Sequence, residues 1–120
     1  MRVLFIDDDS RLLANIDRAL QFHGFECTTC LDPLEAIQAY REQPYDVVVT
    51  DLMMATMDGL QVLETLREID SKVKVVLMTG HLGRLFDRKR DGIGARAILR
   101  KPISIPELII TLHALENNIN

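Results

Sequence analysis

Four places in this sequence carry side chains that together could handle a phosphoryl group. They are the acidic run Asp7-Asp8-Asp9, Asp51 after the apolar stretch Val47-Val48-Val49, Thr79 after Val75-Val76-Leu77-Met78, and the pair Lys101-Pro102. Carboxylates brought together repel one another, and like charges disfavour ionisation. A hard divalent cation relieves that repulsion, and magnesium prefers carboxylate and carbonyl oxygens plus water. With a metal bound, one carboxylate can attack phosphorus as a nucleophile and become an aspartyl phosphate. The metal and a lysine offset charge on the transferring group, and a hydroxyl can hydrogen-bond its oxygens. Taken singly, each residue has an ordinary explanation. Aspartates commonly cap helices, a threonine can simply end a strand, and a lysine can simply be solvated. The case for chemistry rests on where the folded chain puts them.

The sequence alternates apolar strands with amphipathic helices. Arg2–Ile6 is predicted as a first strand, followed by a helix over Ser10–His23 with Leu12, Leu13, Ile16, Ala19 and Leu20 on one stripe. Gly24 suits the position just past a helix end. Phe25–Cys30 reads as a second strand. Asp32 as cap, Pro33 at the first helical position and Glu35 three after the cap announce a second helix, which Pro44 prevents from continuing. Asp46–Thr50 is apolar without alternation, as expected of a strand covered on both faces. Asp58-Gly59 opens a third helix with Leu60, Leu63 and Leu66 toward the core, and Val73–Thr79 is another buried strand. A fourth helix is predicted from Leu82 to Ile93, a fifth strand over Ala95–Leu99, and a last helix behind the capping box Ser104-Ile105-Pro106-Glu107. Its stripe is Ile105, Leu108, Ile109, Leu112 and Leu115.

Five such βα units in succession imply an α/β fold with a five-stranded parallel sheet and right-handed crossovers, doubly wound as (βα)5. Such sheets bind ligands beyond the carboxyl ends of their strands, where the strand order reverses. Those ends deliver Asp7 and Asp8 (first strand), Asp51 (third), Thr79 (fourth) and Lys101-Pro102 (fifth). The chemically capable residues therefore converge on the one edge where this architecture places ligands.

With 120 residues, no linker and no repeat, the chain 1–120 reads as one domain. No apolar run approaches the roughly 20 residues that span a bilayer, and the apolar start is too short for a signal peptide, so a cytoplasmic location is expected. The formal net charge is −4, yet seven of the fourteen Lys and Arg residues lie between Arg84 and Lys101. That asymmetry suits a partner-facing or solvated surface, and with no helix-turn-helix in view no direct nucleic-acid contact is expected. Cys27-Thr28-Thr29-Cys30 has C-x-x-C spacing. On a strand, however, residues three apart point to opposite faces, and no second pair completes a zinc site.

Val3-Leu4-Phe5-Ile6-Asp7-Asp8-Asp9, Tyr45-Asp46-Val47-Val48-Val49-Thr50-Asp51-Leu52-Met53-Met54, Met57-Asp58-Gly59, Val75-Val76-Leu77-Met78-Thr79 and Lys101-Pro102 resemble response-regulator receiver domains over the whole chain. The resemblance implies the flavodoxin-like strand order 2-1-3-4-5. It implies Asp51 as phosphoacceptor, and Mg2+ held by Asp8 directly, by Asp7 through water, by Asp51 and by the Met53 backbone carbonyl. It further implies Lys101 pairing with the phosphoryl group, Thr79 moving to hydrogen-bond it, and a cis peptide at Lys101-Pro102. The implied partners are a sensor histidine kinase or phosphotransfer protein, and an effector domain C-terminal to this chain. A homodimer through the surface of the fourth helix, fifth strand and fifth helix is a further family arrangement.

The chain departs from the family pattern at several positions. Ala55 replaces the usual proline, Gly80 a common alanine, and Ile98 the switch aromatic whose turning accompanies the threonine movement. Met53 and His81 fall where the family tunes dephosphorylation. The rival reading is a receiver-like interaction module that signals without phosphate, which Ile98 and Ala55 favour and the intact acidic set with Lys101 opposes. A flavin-binding protein on the same fold would need a Gly/Ser/Thr-rich phosphate cradle after the first strand, where this chain has three aspartates.

Overall fold

A computed structural model describes residues 1–80 and 94–116. Strands β1 (Arg2–Ile6), β2 (Glu26–Cys30), β3 (Val47–Asp51), β4 (Val75–Thr79) and β5 (Ala97–Arg100) form one sheet in the order β2-β1-β3-β4-β5. All four pairings are parallel. Four described helices, α1 (Ser10–Phe22), α2 (Pro33–Glu42), α3 (Gly59–Ile69) and α4 (Ile105–Glu116), cover its two faces. The helix expected at 82–93 lies outside the described residues, as do His81 and the basic positions from Arg84 to Arg90.

Pleating sends alternate side chains of each strand to opposite faces. Val3, Phe5, Val47, Val49, Val76 and Met78 meet Leu13, Ile16 and Leu20 of α1 and Leu108, Leu112 and Leu115 of α4. Leu4, Ile6, Val48, Val75 and Leu77 meet Ala36, Ile37 and Tyr40 of α2 and Val62, Leu63 and Leu66 of α3. The unbroken Val47-Val48-Val49 run is thus buried on both sides, as a doubly covered strand requires. In α3 the inner face includes Val62 as well as Leu63 and Leu66, while Leu60 is only partly buried.

The predicted caps are present, with some shifts in detail. Asp9 accepts from the N–H groups of Arg11 and Leu12 (3.0 and 3.2 Å) at the start of α1. Asp32 accepts from Leu34 N (2.9 Å) with Pro33 in the first turn of α2. Asp58 and Gln61 form a reciprocal capping box on α3, and Ser104 accepts from Glu107 N (3.3 Å) at α4. Gly24, at φ 86, turns the chain out of α1. α1 stops at Phe22, with His23 as its C-cap. β3 starts one residue later than expected, at Val47, and runs one residue past Thr50, so that Asp51 is its last member.

Both edge strands are short and carry polar or charged positions. β2 exposes Glu26 and Thr28, and β5 exposes Arg100. Cys27 packs against the α1–α4 side and Cys30 against the α2–α3 side. Both thiols are free, and burial, followed by the Asp17 charge, pushes Cys27 up to about 12. Because the thiolate is the reactive form, Cys27 is expected to react with iodoacetamide at pH 8 more than about a hundredfold slower than a model thiol. Mass spectrometry of a labelling time course reads this directly, and labelling at the model rate contradicts it.

At the opposite end of the sheet from the strand carboxyl termini, Tyr40 is buried and its hydroxyl donates to Asp70 Oδ2 at 2.7 Å. Asp70 also ends α3 and accepts from Lys72 N, so this bond ties α2 to the α3–β4 turn. Tyr40→Phe is expected to lower stability by about 1.5–3 kcal/mol, the usual range for a hydrogen bond to a charged group, as read by urea denaturation. An unchanged midpoint would show that the tie contributes nothing.

Candidate functional site

The strand order brings the ends of β1 and β3 side by side, with Ile6 opposite Thr50. Asp7, just past β1, is fully buried, its N–H held by Cys30 O (3.2 Å). Asp8 is exposed. Asp51 is buried, and its Oδ1 accepts from Met53 N at 3.3 Å. Donor atoms of Asp7, Asp8 and Asp51 all lie within 4.8 Å of one another. Lys101, just past β5, reaches in and donates from Nζ to Asp7 Oδ2 (2.7 Å) and Asp51 Oδ2 (3.0 Å). Thr79 is buried at the end of β4, where its carbonyl accepts from Lys101 N (2.9 Å). The Lys101–Pro102 peptide is cis. Five residues read from spacing alone, Asp7, Asp8, Asp51, Thr79 and Lys101, therefore stand at one edge of the sheet. The Met53 side chain points substantially into solvent, and Ile98 lies part-buried on β5 opposite Leu77, against the α2–α3 side.

The site's charges are strongly coupled. Burial raises the Asp51 pKa above the ordinary carboxylate value. Lys101 opposes that shift, the Asp7 charge adds to it, and the Met53 N–H opposes it. For Lys101, burial favours the neutral amine, but its bonds to Asp7 and Asp51 outweigh this and hold it protonated above its usual range. Among the described residues, one ammonium stands among three carboxylates, which leaves the pocket with surplus negative charge. Clustered hard oxygen donors with such a surplus fit a divalent cation of the magnesium or calcium kind.

Spacing does not single out two residues that touch the Asp51 backbone. The Thr50 hydroxyl donates to Asp51 O at 3.1 Å. Gly59 N donates to Leu52 O at 2.8 Å, and a Cβ on Gly59 would stand 2.6 Å from Asp51 O. The available signal was the lone hydroxyl closing the Val47–Val49 run.

The fold and this acidic edge define a receiver-type α/β module, and the comparisons agree. The family described as the response regulator receiver domain matches residues 3–113. The chain belongs to that family. It is 36% identical over 116 residues to the transcriptional regulatory protein PrrA of Mycobacterium tuberculosis, covering 95% of this chain and 49% of that protein. It is 34% identical to the cell cycle response regulator CtrA of Brucella ovis, covering 96% and 50%. The chain thus spans about half the length of the curated relatives it matches. Among solved structures, a response regulator receiver domain protein from Clostridium thermocellum superposes with a TM-score of 0.86 at 29% identity, covering 97% of this chain and 94% of that one. The receiver domain of Francisella response regulator 1452 gives 0.86 at 31% identity, covering 95% and 94%.

Removing the Lys101 charge leaves Asp7 and Asp51 facing each other without a counter-ion among the described residues. Breaking a buried pair commonly costs about 3–5 kcal/mol. Because Lys101 keeps about a quarter of its side chain exposed, Lys101→Met is expected to cost less, roughly 2–3 kcal/mol. The deficit should shrink as pH falls from 7 toward 5. Burial already raises the Asp51 pKa, and the variant loses the Lys101 charge that opposes this, so protonation of Asp51 favours the folded protein. Thermal melts of variant and wild type across that range measure it. A deficit that grows on acidification would contradict the assignment.

Proposed function

We propose that this chain is a phosphoacceptor switch of a two-component pathway, accepting a phosphoryl group on Asp51 in a magnesium-dependent reaction. The observation carrying the reading is the convergence of Asp7, Asp8 and Asp51 with Lys101 bonded to two of them. Phosphoryl transfer requires mainly positioning and charge compensation from a protein, and these residues offer both. A carboxylate oxygen of Asp51 forms the new O–P bond as the N–P bond of a phosphohistidine breaks, and the departing imidazole keeps the nitrogen's electron pair. Asp8 and the Met53 carbonyl would hold Mg2+ directly with Asp51, and Asp7 would act through water. When bound, the ion supplies positive charge against the phosphoryl oxygens. Lys101 turns one of its present carboxylate bonds toward the phosphoryl group, and the Thr79 hydroxyl donates to a phosphoryl oxygen. Slow attack by water on the phosphorus breaks the Asp51 O–P bond, releasing inorganic phosphate and returning the Asp51 carboxylate.

In this reading a sensor histidine kinase or phosphotransfer protein is the donor, in the cytoplasm. The output is a surface that includes β5 and α4, read by an effector domain beyond the chain or by a second copy. The receiver domain is taken as the whole of 1–120. With Ile98 where the family carries a ring, the structural readout of Thr79 movement uses an aliphatic side chain.

Incubation with magnesium and phosphoramidate is expected to add one phosphoryl group to the wild type and none to Asp51→Asn, by intact mass, with both proteins folded. Addition to the variant at the wild-type rate would displace Asp51 as acceptor. No addition to either would favour the phosphate-independent interaction module.

A further inference from the structure

β3 carries one hydroxyl, at the position immediately before Asp51, and it is fully buried. Thr50 shares the pleat parity of Val48, so its side chain lies on the α2–α3 face. Its register neighbours there are Ile6 on β1 and Leu77 on β4. A hydroxyl among aliphatic side chains is costly to bury unless it is bonded. Its bond goes to the carbonyl of Asp51, at 3.1 Å.

From the same face, the first residue of α3 meets the same segment. Gly59 N donates to Leu52 O at 2.8 Å. The bare Cα of Gly59 faces the chain so closely that a Cβ would stand 2.6 Å from Asp51 O and 2.9 Å from Leu52 Cα. Both of those are backbone atoms with no rotamer to escape into. While Gly59 N holds the following peptide through Leu52 O, the Asp51–Leu52 peptide itself is held at its carbonyl by a hydroxyl from its own strand and is confined by the bare Cα of Gly59 at the start of α3. That peptide sets the origin of the Asp51 carboxylate. It also sets the position of Met53, whose N–H holds Asp51 Oδ1.

We infer that Thr50 and Gly59 are positioning residues for the phosphoacceptor, fixing the Asp51–Leu52 peptide so that the Asp51 carboxylate and the Met53 carbonyl face the metal and the incoming phosphorus together. The inference rests on the phosphoacceptor reading above. Thr50 acts through the Asp51 carbonyl, and Gly59 acts by leaving room for it.

Thr50→Val separates positioning from packing. Valine fills the same space, and its methyl suits the aliphatic surroundings, so a purely structural role predicts unchanged phosphorylation. Positioning predicts a phosphorylation rate at saturating phosphoramidate and an Mg2+ affinity each lower by about tenfold, as when partners behind metal ligands are removed, with the melting temperature near wild type. Thr50→Ser, which restores the hydroxyl, should recover both to within about threefold of wild type. Gly59→Ala should lose at least as much as Thr50→Val. Mg2+ binding is read by calorimetry with the metal alone, independently of phosphorylation. A Thr50→Val protein matching wild type in both rate and metal affinity overturns the inference, as does a Thr50→Ser protein no better than Thr50→Val. If the wild type takes no phosphoryl group, the phosphoacceptor reading fails, and the calorimetric comparison still decides whether Thr50 positions the acidic site.

Discussion

The bridge from Lys101 to Asp7 and Asp51 is the interaction on which the carboxyl edge of this sheet depends. Two buried carboxylates on neighbouring strands would drive those strand ends apart, or take up protons, without a counter-charge between them. The ammonium that prevents this comes from 94 residues away in the case of Asp7 and 50 in the case of Asp51. It arrives only because β5 pairs with β4 and β4 with β3. The charge balance of the site is therefore also a test of topology. A chain that misplaced β5 would leave Asp7 uncompensated inside the protein.

The same bridge is incomplete as a neutraliser. Among the described residues one positive charge serves three carboxylates, so the pocket suits a further cation, while burial keeps the electrostatic interactions within it strong. The lysine makes the acids tolerable in the folded state, and the residual negative charge is of the kind a hard divalent cation offsets.

How much of this was legible in the sequence differs by element. The strands were readable because doubly covered strands are continuously apolar, as in Val47–Val49 and Val75–Met78, and the helix starts because Asp9, Asp32, Asp58 and Ser104 are capping residues. The convergence of Asp7, Asp8, Asp51, Thr79 and Lys101 followed from a general property of open α/β sheets, needing no knowledge of distances. Three features did not follow. The Thr50 bond depends on which way one side chain faces. The approach of Gly59 to Asp51 depends on the path of an irregular loop. The Tyr40–Asp70 tie joins residues 30 apart with no sequence signature. Each is a tertiary contact with no period to betray it. Strand ends were the other weak point, since Thr50 and Asp51 are polar and close a strand whose apolar run ends at Val49.

The two edge strands bear on a different property of the molecule. An open sheet ends in unpaired main-chain groups, which are templates for joining another chain, and proteins commonly blunt them with short strands and charges. Here β5 is four residues long and ends on an exposed Arg100, and β2 opens on an exposed Glu26 and follows it with Thr28 on the same exposed side. Neither rim offers a long, flat apolar ribbon for continuous pairing. Both rims are accordingly poor templates for adding a strand from another chain through main-chain pairing.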